Sequence, residues 1–170
     1  ISGWAQSERE KMPDRREDKE MHAIAEYFTI HISHHGVLVD AQTLLYISDE
    51  SGLNQVYRKD LNTGETVRLT HLENRIWQLS TVFSGRTVFF LSDVGGNEQT
   101  QIFSLDADTG ECRNITQNPS ARFVFGGVLP GGKAIVASSN ARSAANYDLV
   151  KIDIESGQSE ILLQNTDNLP

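Results

Sequence analysis

Histidine is the residue type whose grouping in this chain comes nearest to a metal site. His31, His34 and His35 lie close together in the sequence, with Asp40 and His22 nearby. Along an extended strand, residues 31 and 35 point to one face and residue 34 to the other, so the three imidazoles are not expected to converge on one ion. A zinc site also needs a fixed ligand geometry and further ligands, often thiolates. The spacing therefore favours a polar turn over a metal site.

Motifs of nucleophilic and phosphate chemistry do not occur in the sequence. The nucleophile elbow G-x-S-x-G is absent, and the glycine pairs lack the Lys-Ser or Lys-Thr that grips phosphate in a P-loop. Cys112, the single cysteine, is interpreted as a half-buried strand residue, and His71 stands alone. We therefore predict no catalytic, cofactor-binding or metal-binding residue, and no cofactor.

Acidic residues and asparagine recur at the same place in three turns. A carboxylate in such a turn usually accepts hydrogen bonds from the nearby backbone amides, so we expect these residues to cap their own loops. Calcium would require the loop D-x-[DN]-x-[DN]-G, which the spacing does not provide. The residues are Asp60 and Asn62, Asp106 and Asp108, and Asp153 and Glu155.

These turns belong to a segment that occurs three times, over residues 44–70, 88–116 and 134–163. Each copy contains an apolar run, a second short strand pattern, an Asp-to-Gly turn and a returning strand. The turn glycines Gly64, Gly110 and Gly157 are separated by 46 and then 47 residues. A repeat of about 40–50 residues built from short strands and tight turns is typical of propeller blades.

The repeat predicts an all-β fold: a partial β-propeller of about three four-stranded antiparallel blades, preceded by an N-terminal helix. The predicted domains are a tail and charged helix over residues 1–27 and a partial propeller over 28–170, with blades at about 28–74, 75–120 and 121–165. One blade cannot bury both of its apolar faces alone, so neighbouring blades must cover them. We therefore expect the chain to be part of a larger protein and its open blade faces to drive self-association.

Residues before Phe28 have a different composition. Mixed charges are dense between Ser7 and Glu20, Pro13-Asp14 provides a helix start, and apolar residues then recur at helical spacing. The sequence predicts a helix from about Pro13 to about Tyr27. Its narrow apolar stripe either docks on the body of the protein or lies across a partner.

Composition excludes several classes of partner. The formal net charge is −8, which argues against binding the nucleic-acid backbone. No apolar run is long enough for a transmembrane span, so no membrane association is expected, and the N-terminus lacks the apolar core of a secretory signal. Together with the single cysteine, these features predict a cytoplasmic protein. Arg122 and Arg142 lie near predicted blade edges, where a structural role is favoured over a role in a central tunnel or an interface.

The second and third repeats contain specific stretches: Leu91–Phe103 with its Gly-Asn-Glu, Ser138–Arg142, Asn146–Leu149, and Gln164-Asn165. They resemble the N-terminal propeller of serine peptidases of the prolyl oligopeptidase family, particularly the acylaminoacyl-peptidase-like branch, over about residues 28–169. The first repeat departs from the family at Asp40-Ala41-Gln42, where a Ser-Pro-Asp-Gly turn is usual.

The resemblance implies a fragment of the substrate-gating propeller, which covers a C-terminal α/β-hydrolase domain of the parent chain and filters peptide substrates by size. The catalytic triad of this family follows the propeller, so this chain carries none of it and is not catalytic by itself. A non-enzymatic propeller segment that acts as a protein-interaction scaffold of the TolB-like type is the alternative. A third possibility is a complete chain that forms a ring by oligomerising.

Overall fold

The computed structural model describes residues 31–80 and 86–166. Within them the chain forms three four-stranded antiparallel sheets, and in each sheet the strands are paired in chain order. The first sheet contains β1 (Ser33–Leu38), β2 (Thr43–Ser48), β3 (Gln55–Asp60) and β4 (Thr66–Arg68). The second contains β5 (Ile76–Ser80), β6 (Thr87–Ser92), β7 (Gln101–Asp106) and β8 (Cys112–Asn114). The third contains β9 (Phe123–Val128), β10 (Ala134–Ser143), β11 (Asn146–Asp153) and β12 (Ser159–Leu163).

The middle sheet is buried on both faces, as its strand β6 shows most directly. Val88 and Phe90 belong to an apolar cluster shared with the first sheet, whereas Phe89 and Leu91 belong to a second cluster shared with the third sheet. Successive side chains of a strand point to opposite faces, so a continuous apolar run is what a strand covered on both sides requires. The two clusters therefore hold the three sheets in a stack.

The hairpins that join the last two strands of each sheet have a common design. Asp60 Oδ1 accepts hydrogen bonds from the amides of Asn62 (2.8 Å) and Thr63 (2.9 Å), and Asp106 Oδ1 does the same for Asp108 (2.9 Å) and Thr109 (2.8 Å). Asp153 Oδ1 accepts from the amide of Ser156 at 2.7 Å. These bonds lower the pKa of all three carboxyls. The predicted loop capping is confirmed for Asp60, Asp106 and Asp153, whereas no capping bond is found for the side chains of Asn62, Asp108 and Glu155 in the described part of the chain.

The hairpin glycines also set the distance between sheets. Gly64, Gly110 and Gly157 all have positive φ, at 78°, 77° and 72°. A Cβ on Gly110 would lie 2.6 Å from the carbonyl oxygen of Leu69, and a Cβ on Gly157 would lie 2.5 Å from that of Ile115. Each of these hairpins thus rests on the end of the preceding sheet. Around Gly64, by contrast, nothing described lies within 4 Å of the Cβ position.

Two arginines reinforce the contact between consecutive sheets at the same hairpins. Arg58 of β3 donates from Nη1 to the carbonyls of Ala107 (3.3 Å) and Asp108 (2.9 Å). Arg113 of β8 donates to Glu155 O at 2.8 Å and to Ile154 O. In the first sheet Arg58 of β3 pairs with Val67 of β4, and at the equivalent place in the second sheet Ser104 of β7 pairs with Arg113 of β8. The contact with the next sheet is therefore made by an arginine of the third strand in the first sheet and by an arginine of the fourth strand in the second sheet.

These observations confirm the predicted fold class, a partial propeller of four-stranded antiparallel blades. The predicted helix over 13–27 lies outside the described residues. His31 and Ile32 are described and lie before β1 rather than in a strand. Among the described residues no helix is long and apolar enough to cross a bilayer.

Candidate functional site

Irregularities in the pairing of the first strand are common to all three sheets. The register shifts between His34 and Val37 in β1, and between Ile76 and Gln78 in β5. In β9 it shifts at Gly126, between Phe125 and Gly127. A β-bulge re-aims the side chain it carries, and bulges are frequent beside functional sites. In a propeller, the strands at one edge of every blade surround the central channel, and sheet contacts such as β1 with β5 place the first strands at that edge.

A cleft of about 400 Å³ lies along this edge, and its lining side chains come from all three sheets. Two of its lining residues, His35 and Trp77, sit at the bulges of β1 and β5. The bulges therefore set the direction of two side chains that line the cleft. Its other lining side chains include Glu98, Thr100, Arg122 and Val124.

The cleft exposes apolar surface. Trp77 is 40% exposed and Val124 41% exposed, although both lie in strands whose alternate residues, Ile76 and Phe123, are buried. The guanidinium carbon of Arg75 lies 4.9 Å from the centroid of the Trp77 ring, close enough for a cation–π contact that orients the indole.

The wall that carries Arg122 is fixed by hydrogen bonds between the second and third sheets. The amide of Phe123 donates to the carbonyl of Thr100 at 2.8 Å, and the Thr100 hydroxyl donates to the carbonyl of Phe123 at 2.7 Å. The amide of Arg122 itself donates to Asn140 Oδ1 at 2.6 Å. The backbone at residue 122 is thus held on both sides, while the guanidinium is exposed to solvent.

The opposite charge in the cleft comes from the loop between β6 and β7. Glu98 has a φ of +61°, which is uncommon for a residue with a side chain. Its amide donates to Asp93 Oδ2 at 3.1 Å, and Asp93 is only 2% exposed. The amide of Gly95 in the same loop donates to Asn74 Oδ1 at 2.8 Å. The loop conformation that places Glu98 at the cleft is therefore anchored to the sheet.

Neither charge in the cleft is neutralised within the described part of the chain. The ion pairs found there involve Arg86 with Asp40 and Asp108, Arg142 with Asp148, and Lys151 with Glu160. The Arg122 guanidinium and the Glu98 carboxylate take part in none of them. The cleft thus combines an exposed cation, Arg122, an exposed anion, Glu98, and the exposed apolar side chains of Trp77 and Val124.

The histidines near the first strand are arranged differently from the expectation. His34 and His35 contact each other through their Nδ1 atoms, with ring centroids 4.7 Å apart. The prediction that they point to opposite faces is wrong because His35 has a φ of +52° at the bulge, which breaks the alternation. Burial, and then the neighbouring charge of His35, lower the pKa of His34.

Of the other sequence candidates, those within the described residues do not line the cleft. His71 is exposed, His22 lies outside the described residues, and burial raises the pKa of Cys112 to about 11. Within residues 31–80 and 86–166 no group of three or more potential ligands is arranged to hold a metal ion. Asp40 caps its own turn by accepting from the Gln42 amide at 2.8 Å.

The two arginines singled out in the sequence have different roles. Arg122 lines the cleft, whereas Arg142 is paired with Asp148 at 2.6 Å through Nε. Asp148 is 1% exposed, and its Oδ1 accepts from the amide of Asn165 at 2.8 Å. Arg142 lowers the pKa of Asp148 and also donates to the carbonyl of Asn165 at 2.7 Å. This pair holds the chain that leaves the third sheet.

In the first two sheets a buried glutamine occupies the place of Asp148. Gln101 Oε1 accepts from the hydroxyl of Thr116 (2.8 Å) and the amide of Asn118 (3.0 Å), and its Nε2 donates to the carbonyls of Asn118 (2.9 Å) and Ala121 (2.8 Å). Gln55 makes the corresponding bonds to Thr70, Leu72 and Asn74. Each glutamine ties a sheet to the segment that leads into the next sheet.

Sequence reasoning did not identify Trp77, Glu98 or Val124 as site residues. A signal for two of them was present: in β5 and β9 a large apolar side chain occupies the solvent-facing position of an alternating pattern. Glu98 gave no such signal, because its placement depends on a loop conformation with positive φ.

The chain is similar in sequence to a curated peptidase. Over 80 residues, 46% of this chain, the sequence is 31% identical to dipeptidyl aminopeptidase BIII of Pseudoxanthomonas mexicana. The chain covers 12% of that peptidase, so it corresponds to a small part of it. No protein-family model matches the chain.

Solved structures show the same fold in two kinds of protein. Dipeptidyl peptidase 4 of Porphyromonas gingivalis superimposes with a TM-score of 0.63 at 17% identity, covering 79% of this chain and 19% of that one. TolB of Acinetobacter baumannii superimposes with a TM-score of 0.58 at 20% identity, covering 77% of this chain and 32% of that one. At such identities these matches establish the fold. With the curated match, they support similarity to a propeller fragment of a prolyl oligopeptidase-family peptidase.

Proposed function

We propose that this chain is part of the propeller that gates substrate access in a peptidase of the prolyl oligopeptidase family. The observation that carries the proposal is the 31% identity with dipeptidyl aminopeptidase BIII over 80 residues, in a chain whose described part forms stacked propeller blades. Its partner is a C-terminal α/β-hydrolase domain of the parent chain, which supplies the catalytic residues.

The stacking of the sheets supports a gating role. The apolar clusters on both sides of β6, the arginines that join consecutive sheets and the buried glutamines fix the blades with respect to one another. A rigid wall with a narrow channel admits extended peptides and excludes folded proteins, because only the former fit without deforming the blades.

The first experiment uses the full-length parent protein and a fluorophosphonate probe that labels active serine hydrolases. The proposal predicts labelling of the parent, hydrolysis of short chromogenic peptides, and little hydrolysis of a folded protein such as native ribonuclease. Absence of labelling would refute the peptidase assignment.

The gating step is tested by loosening the contact between the second and third sheets. Arg113→Ala removes the two hydrogen bonds to the hairpin at Ile154 and Glu155. We expect the ratio of long-polypeptide to short-peptide hydrolysis to rise, with kcat/KM for the short peptide retained. Lys133→Ala, at an exposed turn, is the matched control. An unchanged ratio in Arg113→Ala, with the variant folded, would refute gating through this contact.

A protein-interaction scaffold is the second candidate, and the likeness of the fold to that of TolB supports it. This candidate predicts no labelling by the serine-hydrolase probe and recovery of a defined protein partner instead. The same first experiment therefore separates the two functions.

Self-association of the isolated 170-residue chain is also part of the proposal. The open face of the third sheet carries Leu149 and its cross-strand partner Leu163, which are 38% and 67% exposed. On the first sheet, Tyr46 stacks on Tyr57 with centroids 5.8 Å apart. Sedimentation velocity is expected to show a concentration-dependent dimer or larger species. A compact monomer at all concentrations would contradict this.

A further inference from the structure

We propose that the cleft bounded by Trp77, Val124, Arg122 and Glu98 binds a peptide segment in which an apolar side chain lies between an acidic and a basic group. This inference deepens the proposed function and rests on it, because it names the class of peptide that the channel wall retains. It concerns binding on the propeller, away from the reacting atoms.

The composition of the cleft selects this ligand. The Arg122 guanidinium, which has no ion-pair partner among the described residues, suits a carboxylate, to which it can donate two parallel hydrogen bonds. The Glu98 carboxylate, also without an ion-pair partner there, suits an ammonium or guanidinium group. Trp77 and Val124 provide exposed apolar surface in the same cleft. A simple anion would be repelled by Glu98 and a simple cation by Arg122. A nucleic-acid strand is disfavoured by the net charge of −8 and by the Glu98 carboxylate in the cleft.

The cleft is also ordered before any ligand binds. The backbone of Arg122 is held by Asn140 and that of Phe123 by Thr100, the Glu98 amide is held by Asp93, and the Trp77 ring lies against Arg75. Groups that are already positioned lose little conformational entropy on binding, so their contacts contribute more fully to affinity. The bulges at His35 and Trp77 add to this order, because they fix the direction of side chains that a regular strand would place elsewhere.

The test uses the full-length protein with its catalytic serine blocked by the fluorophosphonate, and measures the affinity of end-blocked fluorescent pentapeptides by anisotropy. Four probes share a central leucine and carry flanking aspartate and lysine, aspartate alone, lysine alone, or neither. We expect the doubly charged probe to bind most tightly. Removing either charge is expected to weaken binding by about 2- to 5-fold, as for the loss of a solvent-exposed ion pair.

Charge-reversal variants tie the effect to the two residues. Arg122→Glu is expected to abolish the preference for the aspartate probe, and Glu98→Arg the preference for the lysine probe. Lys133→Glu carries the same change of charge as Arg122→Glu, but at an exposed turn, and is expected to bind the probes like the wild type. Trp77→Ala is expected to weaken binding of all four probes, and Trp77→Phe to restore most of it.

The outcomes separate this inference from the proposed function. Labelling by the serine probe together with equal affinity of all variants for the doubly charged peptide would overturn the cleft assignment and leave the peptidase assignment intact. If the protein is not labelled, the peptidase assignment is refuted and the binding assay is run on the unblocked protein. Charge-dependent binding of the peptides would then still support the cleft assignment. Absence of binding by every probe at millimolar concentration would overturn the inference.

Discussion

The hairpin glycines allow the contact between consecutive sheets to be measured one position at a time. Gly64, Gly110 and Gly157 have nearly the same positive φ, so alanine introduces nearly the same backbone strain at each. That strain, offset in part by the lower entropy of the unfolded chain, is expected to reduce the free energy of unfolding by about 1 kcal/mol. At Gly64 no further cost is expected, because no described atom lies within 4 Å of the new methyl group.

At the other two positions the methyl group meets backbone. The Leu69 carbonyl oxygen would have to retreat by about 0.8 Å from Gly110→Ala, and the Ile115 oxygen by about 0.9 Å from Gly157→Ala, to reach the 3.4 Å of an ordinary contact. A carbonyl in a sheet cannot rotate away like a flexible side chain, so the sheets must separate locally. Forced separation of well-packed groups costs about 1–3 kcal/mol more.

The assay is urea denaturation of the 170-residue chain, followed by circular dichroism, for the three alanine variants. Gly110→Ala and Gly157→Ala are expected to lose about 2–4 kcal/mol, and Gly64→Ala about 1 kcal/mol. Gly131→Ala, at a φ of +94° with no described atom nearby, is a second control for strain alone. Equal losses at Gly64 and Gly110 would refute the inference that the second hairpin rests on the first sheet.

Three further predictions follow from the buried and titratable groups. Gln101→Leu removes the bonds of this buried side chain to the amide of Asn118 and the carbonyl of Ala121, and is expected to reduce the free energy of unfolding, measured in urea, by about 2–3 kcal/mol. The exposed control Gln158→Leu is expected to change it little, and a loss as small as that of the control would contradict the role of Gln101. Hydrogen bonding by the Gln42 amide, and then by Arg86, lowers the pKa of Asp40 to about 2. The folded state therefore releases this proton more readily than the unfolded state. The resulting stabilisation is present above about pH 4 and is lost as the pH falls towards 2. The urea midpoint of Asp40→Asn is therefore expected to drop less on acidification than that of the wild type, and an equal drop would contradict the lowered pKa of Asp40. Cys112, with its pKa raised to about 11 chiefly by burial, is expected to react with an aromatic disulfide at pH 8 on the order of 100-fold more slowly than a free thiol, and at the ordinary rate in urea; rapid reaction of the folded chain would show that the thiol is accessible.

The stack of sheets could be predicted because its causes are local. The apolar run Val88–Leu91 indicates a strand covered on both faces, and the Asp-to-Gly turns show where each hairpin closes. The loop capping by Asp60, Asp106 and Asp153 follows from the same turn chemistry.

The candidate site could not be predicted because it depends on contacts between distant residues. The bulge at His35 is set by pairing with β2, and the position of Glu98 is set by a loop anchored to Asp93 and Asn74. Gln101 was not noticed because glutamine is usually a surface residue. Its partners, the hydroxyl of Thr116 and main-chain groups of Asn118 and Ala121, lie 15 to 20 residues further along the chain, and no sequence pattern indicates them.

The burial of β6 on both faces has a consequence for how the molecule opens. Detaching the first or the third sheet exposes one of the two apolar clusters, whereas detaching the middle sheet exposes both. Because nearest-neighbour interfaces carry much of the stability of a repeat array, the free energy of local unfolding is lowest for the end sheets and highest for the middle sheet. Fraying therefore proceeds inward, and amides of β6 are expected to exchange with deuterium last.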